Sequence, residues 1–330
     1  MHDPLPSLSR LRERYGEEAV KVQLRSLERH GSVVDDPELW LEVALAGRFK
    51  FMPIARVDRC PCGSAETRLL SRFVFWNLLG LRECERCGLL LVSPRLTKEA
   101  MRSVFTEHYF EYANLKVWGE RRGEVFADVL RVLKSRGVRS VFDVGAAFGH
   151  FVKYAREMGL EAAGSDISSK AVEVGREQLG VELHAGTLDE LTLPEASVDA
   201  IVSLDAFYYV PEPRAELDAM RRLLKPGGII VLRLRNCLWS RGRARLPAFR
   251  AVNRSPLPAE HLWGFTPRSI SHLLEISGWR VEECQPAAYS KSLFGPLQTA
   301  AITLNRVVRQ AWHRAPILTR SFNVVARRAN

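Results

Sequence analysis

The chain has 330 residues, of which 46% are hydrophobic and 26% charged, with a formal net charge of +10. These fractions are ordinary for a soluble globular protein, and no apolar run approaches the roughly 20 residues that a membrane-spanning helix needs. The amino terminus is charged and contains proline, so we expect no secretory signal and a cytosolic protein. In that compartment its six cysteines indicate metal binding or isolated thiols rather than disulfides.

The first part of the chain divides into three predicted units. Residues 1–55 are predicted to be helical and charged, because apolar residues such as Leu8, Leu11 and Tyr15 recur at helical spacing. Residues 56–97 contain four of the six cysteines and are predicted to form a small, loop-rich module. Residues 98–137 are predicted to be a helical linker, with Thr97 as the N-cap of its first helix.

From residue 138 onward, strand and helix patterns alternate. Alternation of this kind predicts an α/β fold with a doubly wound, mostly parallel sheet, which we place at 138–285. A basic insertion over 239–259 interrupts this domain, and 286–330 is predicted to be a basic, amphipathic C-terminal appendage. The expected strands are 138–144, 162–165, 181–185, 200–204, 229–234 and 279–283.

The most informative segment runs from Val141 to Phe151. A short apolar strand reaches Asp143, breaks at Gly145, and turns through Gly149 into a helix; a second strand then delivers Asp166 just past its end. Strand, glycine turn, helix, strand and acid form the start of an open α/β sheet that holds an adenosine-bearing cofactor at its switch point. The spacing is not the G-x-G-x-x-G of a dinucleotide site. The alternative is any βαβ unit with glycines in its turn.

This segment resembles motif I of class I S-adenosylmethionine-dependent methyltransferases, and further segments across 138–285 resemble the same class. The resemblance implies a Rossmann-like sheet and methyl transfer from S-adenosylmethionine, with Asp166 matching the acid that binds the ribose. The residues that it implies at the cofactor are Asp143, Gly145, Ala147, Gly149, Asp166, Ile167, Leu188 and Asp205.

The sequence departs from that class at three places. Ala147 stands where the middle glycine of motif I is usual, and its methyl group is tolerable if φ stays negative there. Thr187 replaces an acid, and Tyr208-Tyr209 replaces a histidine that many relatives have. The alternative to cofactor binding for Asp166 and Asp205 is that each caps the helix that follows it.

The cysteine module contains Cys60-Pro-Cys62-Gly and Cys84-Glu-Arg-Cys87-Gly. Four thiolates satisfy tetrahedral Zn²⁺, and the glycines let the chain fold around the metal. The module resembles the amino-terminal zinc-binding module found ahead of some class I methyltransferases, so we expect a structural zinc site. The alternative is four separate buried thiols.

Methyl transfer is an in-line displacement that needs no enzyme nucleophile, although a base helps when the acceptor is a hydroxyl or a carbon acid. His261 is the first candidate for that base, and Tyr208 and Tyr209 are candidates for positioning the acceptor; the alternative for His261 is a structural residue. The resemblance suggests a small acceptor: a sugar, a sugar nucleotide, or a lipid-linked or natural-product molecule, methylated at oxygen or carbon.

The basic residues would suit a phosphorylated or lipid-linked acceptor, and the basic tail would suit peripheral contact with an anionic membrane. They lack the interleaved aromatic residues of a surface on which nucleic-acid bases stack. Two alternatives remain open: a scaffold with a decayed cofactor pocket, and a nucleic-acid methyltransferase.

Overall fold

The computed structural model describes residues 13, 17, 54–74, 79–93, 95–103, 105, 115–238, 261–288, 295–312, 316–317 and 319–329. Most of the predicted N-terminal helical segment (1–55) and the predicted basic insertion (239–259) lie outside these residues.

The helices within the described ranges are α1 (Lys98–Ser103), α2 (Leu115–Lys134), α3 (His150–Glu157), α4 (Ser169–Leu179), α5 (Pro213–Leu223), α6 (Pro267–Ile276) and α7 (Gly295–Ala311). The strands are β1 (Ile54–Ala55), β2 (Thr67–Val74), β3 (Leu79–Cys84), β4 (Leu90–Val92), β5 (Arg95–Leu96), β6 (Ser140–Val144), β7 (Glu161–Asp166), β8 (Leu183–Ala185), β9 (Val198–Leu204), β10 (Leu224–Arg235), β11 (Trp263–Gly264), β12 (Trp279–Pro286) and β13 (Ser321–Arg328).

A seven-stranded sheet in the order β12-β13-β10-β9-β6-β7-β8 forms the centre of the molecule. The pairs β6–β7, β7–β8, β6–β9 and β9–β10 are all parallel. The strand order reverses at β6, which lies between β7 and β9, so the carboxyl end of β6 is a topological switch point. The predicted doubly wound, mostly parallel sheet is confirmed.

Two apolar clusters cover the two faces of this sheet. On β10, Ile230 and Leu232 belong to the cluster that includes α5 and α6, whereas Ile229 and Val231 belong to the cluster that includes α2, α3 and α4. This alternation follows from the two-residue side-chain period of a strand. Because both faces are buried, the inner strands are almost continuously apolar.

The sheet extends beyond the point at which the sequence analysis ends it. β13 lies between β10 and β12 and is antiparallel to both, so residues 321–328 belong to the sheet and not to an appendage. Arginines flank a short apolar stretch in this segment, and Phe322 and Val324 within it are fully buried. Asn323 also donates a hydrogen bond to buried Asp128 on α2 (3.2 Å).

A smaller four-stranded sheet, in the order β11-β4-β3-β2, contains the cysteine module. Its outer strand, β11, comes from the chain after residue 260 and pairs antiparallel with β4. The module is therefore joined to the main domain by backbone hydrogen bonds. Among the described residues, no helix has both the length and the apolar character needed to cross a bilayer.

Candidate active site

The loop between β6 and α3 lies at the switch point of the sheet. Gly145 and Gly149 adopt left-handed conformations, with φ of 80° and 78°. A Cβ at Gly145 would collide with the Cβ of Ala206, and one at Gly149 would lie 2.8 Å from Val181 Cγ2. Glycine is therefore required at both positions, because only it lets this loop pack so closely against its neighbours.

Ala147, in the middle of the same loop, does not meet the condition of a negative φ under which its methyl group would be tolerated without strain. Its φ is +50°, the left-handed region in which a Cβ costs about 1–2 kcal/mol. Its backbone N–H donates to Asp166 Oδ2 at 2.7 Å. A hydrogen bond from a backbone N–H to a carboxylate helps to offset the strain of the left-handed conformation.

Asp166 ends β7 and faces the glycine loop. Its Oδ2 accepts from Ala147 N and its Oδ1 accepts from Ser168 N at 2.9 Å. Burial raises the pKa of Asp166, and the two backbone N–H groups oppose that rise. Ser168, and not Asp166, caps α4, since its side chain accepts from Ala171 N. Each Asp166 oxygen retains acceptor capacity for a hydroxyl donor.

Asp143, on β6, is a buried carboxyl with only 3% of its surface exposed. Burial raises its pKa to about 7; Arg122 opposes this effect and Asp166 adds to it. Its Oδ1 is inaccessible and has no hydrogen-bond partner among the described residues. A buried acceptor without a donor is suited to a ligand that carries N–H groups. Together with Asp166 and the glycine loop, these residues fit the adenosine and amino-acid parts of S-adenosylmethionine.

The loop after β8 forms another wall of the region. Leu188 is buried and belongs to the same apolar cluster as Met101 of α1. Glu190 accepts from Thr187 N at 3.1 Å and pairs with Arg102 at 2.5 Å, so α1 fixes this loop. Ile167, directly after Asp166, is half-buried.

Asp205 follows β9 and is held by two arginines. Arg122 of α2 lies 2.7 Å from its Oδ2, and Arg233 of β10 binds both of its oxygens. Burial raises the pKa of Asp205, but Arg233 and Arg122 outweigh burial and lower it. The carboxylate is thus used in an ion-pair network, and its alternative role as a helix cap is not observed. Its predicted contact with the cofactor stays a prediction.

The candidate acceptor residues form one aromatic cluster. The His261 ring stacks on Tyr208 at 3.9 Å between centroids and meets Tyr209 edge-on at 5.0 Å. His261 is 1% exposed, and its Nε2 has no hydrogen-bond partner in the described part of the chain. Burial and then Arg235 lower the pKa of His261 well below 6.5, so the imidazole is neutral. The structure thus brings together His261, the first candidate base, and the two tyrosines that were the alternative candidates for the acceptor site.

The cysteine module fixes the backbone that carries this cluster. Val92 N donates to Leu262 O, and Leu262 N donates to Tyr208 O, both at 3.1 Å. Buried Arg95 lies over the Trp263 ring at 4.6 Å and donates to Pro211 O at 2.9 Å. The module therefore contacts the chain next to Tyr209, at Pro211, and the chain next to His261, at Leu262 and Trp263.

The four module cysteines converge, as predicted. Their Sγ atoms all lie within 4.8 Å of one another, with Cys60–Cys87 and Cys62–Cys84 each at 3.6 Å. All four are buried. A tetrahedron with Zn–S bonds of about 2.3 Å has S···S edges of about 3.8 Å, so the donor set and its spacing fit this metal.

Four arginines of the site had no role there predicted from the sequence, although one of them, Arg95, belongs to a Pro-Arg pair that the resemblance to the zinc-binding module includes: Arg95, Arg122, Arg233 and Arg235. One signal was available for Arg233, because a charged residue inside a strand predicted to be buried must be paired. Arg95 and Arg122 carried no such signal, since their partners are distant in sequence.

Comparison with known proteins identifies relatives of this chain. A protein-family model described as "Methyltransferase domain" matches residues 117–284, which is just over half of the chain. A ubiquinone biosynthesis O-methyltransferase of Xanthomonas oryzae pv. oryzae is 27% identical over 174 residues, covering 49% of this chain and 69% of that protein. A malonyl-(acyl-carrier protein) O-methyltransferase of Pectobacterium atrosepticum is 26% identical over 138 residues, covering 38% of this chain and 54% of that protein.

Among solved structures, the 1,6-didemethyltoxoflavin-N1-methyltransferase of Burkholderia thailandensis, with bound 1,6-didemethyltoxoflavin and S-adenosylhomocysteine, aligns with a TM-score of 0.49. It is 15% identical, and the alignment covers 80% of this chain and 100% of that one.

Proposed function

Because the chain belongs to the methyltransferase family whose model matches residues 117–284, and is an S-adenosylmethionine-dependent methyltransferase, we propose that it methylates a small molecule. The acceptor is a sugar, a sugar nucleotide, or a lipid-linked or natural-product molecule, and the methyl group goes to oxygen or carbon. The two curated relatives named above are O-methyltransferases, which favours an oxygen atom as the acceptor.

One observation carries this proposal: the glycine loop and the aromatic cluster meet at one edge of the sheet. A Cβ at Gly145 would collide with Ala206, and the 3₁₀ turn Phe207–Tyr209 follows at once. Tyr208 and Tyr209 in that turn contact His261. A cofactor at the loop and an acceptor at the cluster would be neighbours, which is the requirement for in-line displacement.

On the cofactor side, each residue has a separate task. We assign Asp166 to the ribose hydroxyls, Asp143 to the ammonium group, and Leu188 and Ile167 to apolar contact with the adenine side. When bound, S-adenosylmethionine supplies a methyl group on a sulfonium, which is a reactive electrophile. The chain's contribution is to orient this group and exclude water, because the surrounding residues are mostly buried.

On the acceptor side, we assign His261 as the base and Tyr209 as a positioning residue. A neutral imidazole can take a proton from an acceptor hydroxyl as the methyl group arrives. Tyr209 is half-buried and packs against Phe105 at 4.9 Å as well as His261. Burial raises the pKa of Tyr208, so this phenol stays protonated and serves as a stacking surface.

The test is a methyl-transfer screen with isotope-labelled S-adenosylmethionine against sugar nucleotides, phenolic acids and lipid extracts. We expect label in one low-molecular-weight or lipid product, and a loss of at least tenfold in Asp166→Ala and His261→Phe. Retained activity in His261→Phe would show that His261 is not the base. Label transferred to RNA or DNA instead would overturn the small-molecule proposal.

We also propose that Cys60, Cys62, Cys84 and Cys87 bind one structural Zn²⁺. Four thiolates fill all four positions of a tetrahedral site, which leaves none for substrate. The site would hold β3 and β4, and through β11 the segment that begins at His261.

Elemental analysis of reduced, freshly purified protein tests this assignment. We expect about one zinc per chain in the wild type, a loss in Cys84→Ser, and no change in Cys237→Ser, which removes a buried cysteine outside the cluster. A zinc content near zero in the wild type would contradict the proposal.

Finally, we propose that the enzyme is cytosolic and contacts an anionic membrane through α7. The outward face of this helix is apolar: Leu304 is 65% exposed, Val307 54%, and Trp312, just past its end, 59%. On the side of the helix that faces the domain, Arg306 pairs with Asp128 at 2.8 Å. A chain with a net charge of +10 is attracted to anionic lipid and repelled by its own copies, which favours a bilayer as the occupant.

Sedimentation with vesicles tests this contact. We expect binding to phosphatidylglycerol vesicles and not to phosphatidylcholine vesicles, and a clear loss in Leu304→Gln. The matched control is Met158→Gln, which alters an exposed apolar residue that lies outside α7. Equal binding by both variants would rule out α7 as the contact.

A further inference from the structure

Positive charge exceeds negative charge at the carboxyl ends of β9 and β10. Arg122 and Arg233 share the single carboxylate of Asp205. Arg233 has little access to solvent and also donates to Ala288 O at 2.9 Å. These two guanidinium groups are therefore occupied by protein.

Arg235 adds a third guanidinium group, which interacts with the Tyr208 hydroxyl but has no carboxylate partner among the described residues. It is the last residue of β10 and lies two residues beyond Arg233, so both side chains leave the same face of the strand. Arg233 pairs with Leu204 in the parallel ladder, which sets Arg235 level with the start of the 3₁₀ turn. Its side chain is exposed, and no carboxylate in the described ranges lies within ion-pair distance of it.

Tyr208 and Tyr209 of the aromatic cluster, together with Asp205, interact with the charge of Arg235. Partial desolvation lowers its pKa, but Tyr208, Asp205 and Tyr209 outweigh that effect and raise it. Arg235 also depresses the pKa of His261, after burial. A guanidinium group without a carboxylate partner thus stands beside two tyrosine rings and a buried imidazole, whose Nε2 has no hydrogen-bond partner in the part of the chain that the structure describes.

We propose that Arg235 is the anion-binding residue of the acceptor site, and that the methyl acceptor carries a carboxylate or phosphate group next to the ring or chain that is methylated. This inference rests on the proposed function, since it places the acceptor between Arg235 and His261. Arginine suits the task because its planar fork binds oxyanions with two parallel hydrogen bonds. The Asp205 carboxylate forms its ion pairs with Arg122 and Arg233. The Arg235 guanidinium can therefore bind an anionic group of the acceptor.

The experiment measures binding of matched anionic and neutral probes to the full-length, zinc-replete protein saturated with S-adenosylhomocysteine. Benzoate and benzyl alcohol share a ring and differ in charge, and inorganic phosphate distinguishes a phosphate site from a carboxylate site. We expect the wild type to bind one of the two anions at least tenfold more tightly than benzyl alcohol, a difference of about 1.4 kcal/mol.

In Arg235→Gln this preference disappears, whereas Arg235→Lys keeps part of it because the charge remains. Arg280→Gln, a highly exposed arginine on β12, is the matched control and keeps the full preference. The affinity for S-adenosylhomocysteine stays within about twofold in all three variants, since Arg235 is placed on the acceptor side.

Two results would overturn the inference: no preference for either anion in the wild type, or an unchanged preference in Arg235→Gln. Failure of the wild type to bind S-adenosylhomocysteine is a different outcome and counts against the proposed cofactor site instead. Circular dichroism and zinc content, measured on each variant, distinguish loss of the anion site from loss of folding.

Discussion

Asp143→Asn tests whether the unpaired carboxyl below the glycine loop serves a ligand rather than the fold. Burial raises the pKa of Asp143 to about 7, against about 3.9 in an unfolded chain. A raised carboxyl pKa stabilises the protonated folded state, so this contribution is complete below about pH 4 and is lost as pH rises to about 7. The difference of about three pKa units corresponds to about 4 kcal/mol at 1.36 kcal/mol per unit.

Asparagine is neutral at every pH, so the variant does not suffer that loss. We expect its free energy of unfolding to exceed that of the wild type by about 1.5 kcal/mol at pH 5 and by up to about 4 kcal/mol at pH 8. The same change removes the negative charge assigned to the cofactor's ammonium group. The affinity for S-adenosylhomocysteine should therefore fall at least tenfold, about 1.4 kcal/mol.

Urea denaturation at the two pH values, together with calorimetric titration, measures both effects. Asp199→Asn is the control of opposite sign. Burial raises the pKa of Asp199, but Lys225 at 2.8 Å and two backbone N–H groups outweigh it and lower the pKa to about 2. That variant should be less stable than the wild type at pH 8. If Asp143→Asn gains no stability at pH 8, burial does not raise the pKa of Asp143 as stated. If it gains stability without losing affinity for S-adenosylhomocysteine, the carboxylate does not bind the cofactor's ammonium group.

Three further predictions concern the same region. Arg233→Met should lower the free energy of unfolding by about 3 kcal/mol, because it leaves the half-buried Asp205 carboxylate with one partner fewer. Urea denaturation in a double-mutant cycle with Asp205→Asn measures this coupling, and additive losses of stability would contradict it. Ala147→Gly should raise the free energy of unfolding by at most about 1 kcal/mol, because glycine avoids the left-handed Cβ penalty but gains freedom in the unfolded chain; a clear loss of stability would contradict the positive φ. The His261 ring, identified in NMR spectra by its absence in His261→Gln, should titrate well below pH 6.5; because the unfolded chain binds this proton more tightly, wild-type stability should fall relative to that variant as pH drops below 6.5, and an ordinary titration would show that the ring is solvated.

The sequence predicted the sheet and the cysteine cluster because both depend on local patterns. Strands such as β6 and β9 are apolar runs bounded by turns, and Cys84 and Cys87 are three residues apart. It also predicted that Tyr209 and His261 lie at one edge, because the carboxyl ends of parallel strands converge.

What the sequence did not predict depends on pairing between distant segments. β13 is short and flanked by arginines, and only its two antiparallel neighbours make it an inner strand. The left-handed φ of Ala147 accompanies a hydrogen bond to Asp166, a residue 19 positions later in the chain, and the local preference of alanine for negative φ does not predict it. Likewise, Arg95 gains its role from contacts with Pro211 and Trp263, more than a hundred residues away.

The central claim is that the glycine loop, Asp143 and Asp166 form a working cofactor site. Calorimetric titration of the purified, full-length protein with S-adenosylmethionine and with S-adenosylhomocysteine tests it most directly. We expect saturable binding of both at one site per chain, with a loss of at least tenfold, about 1.4 kcal/mol, in Asp166→Ala. Absence of binding to the folded wild type at high ligand concentration, or unchanged binding in Asp166→Ala, would contradict it.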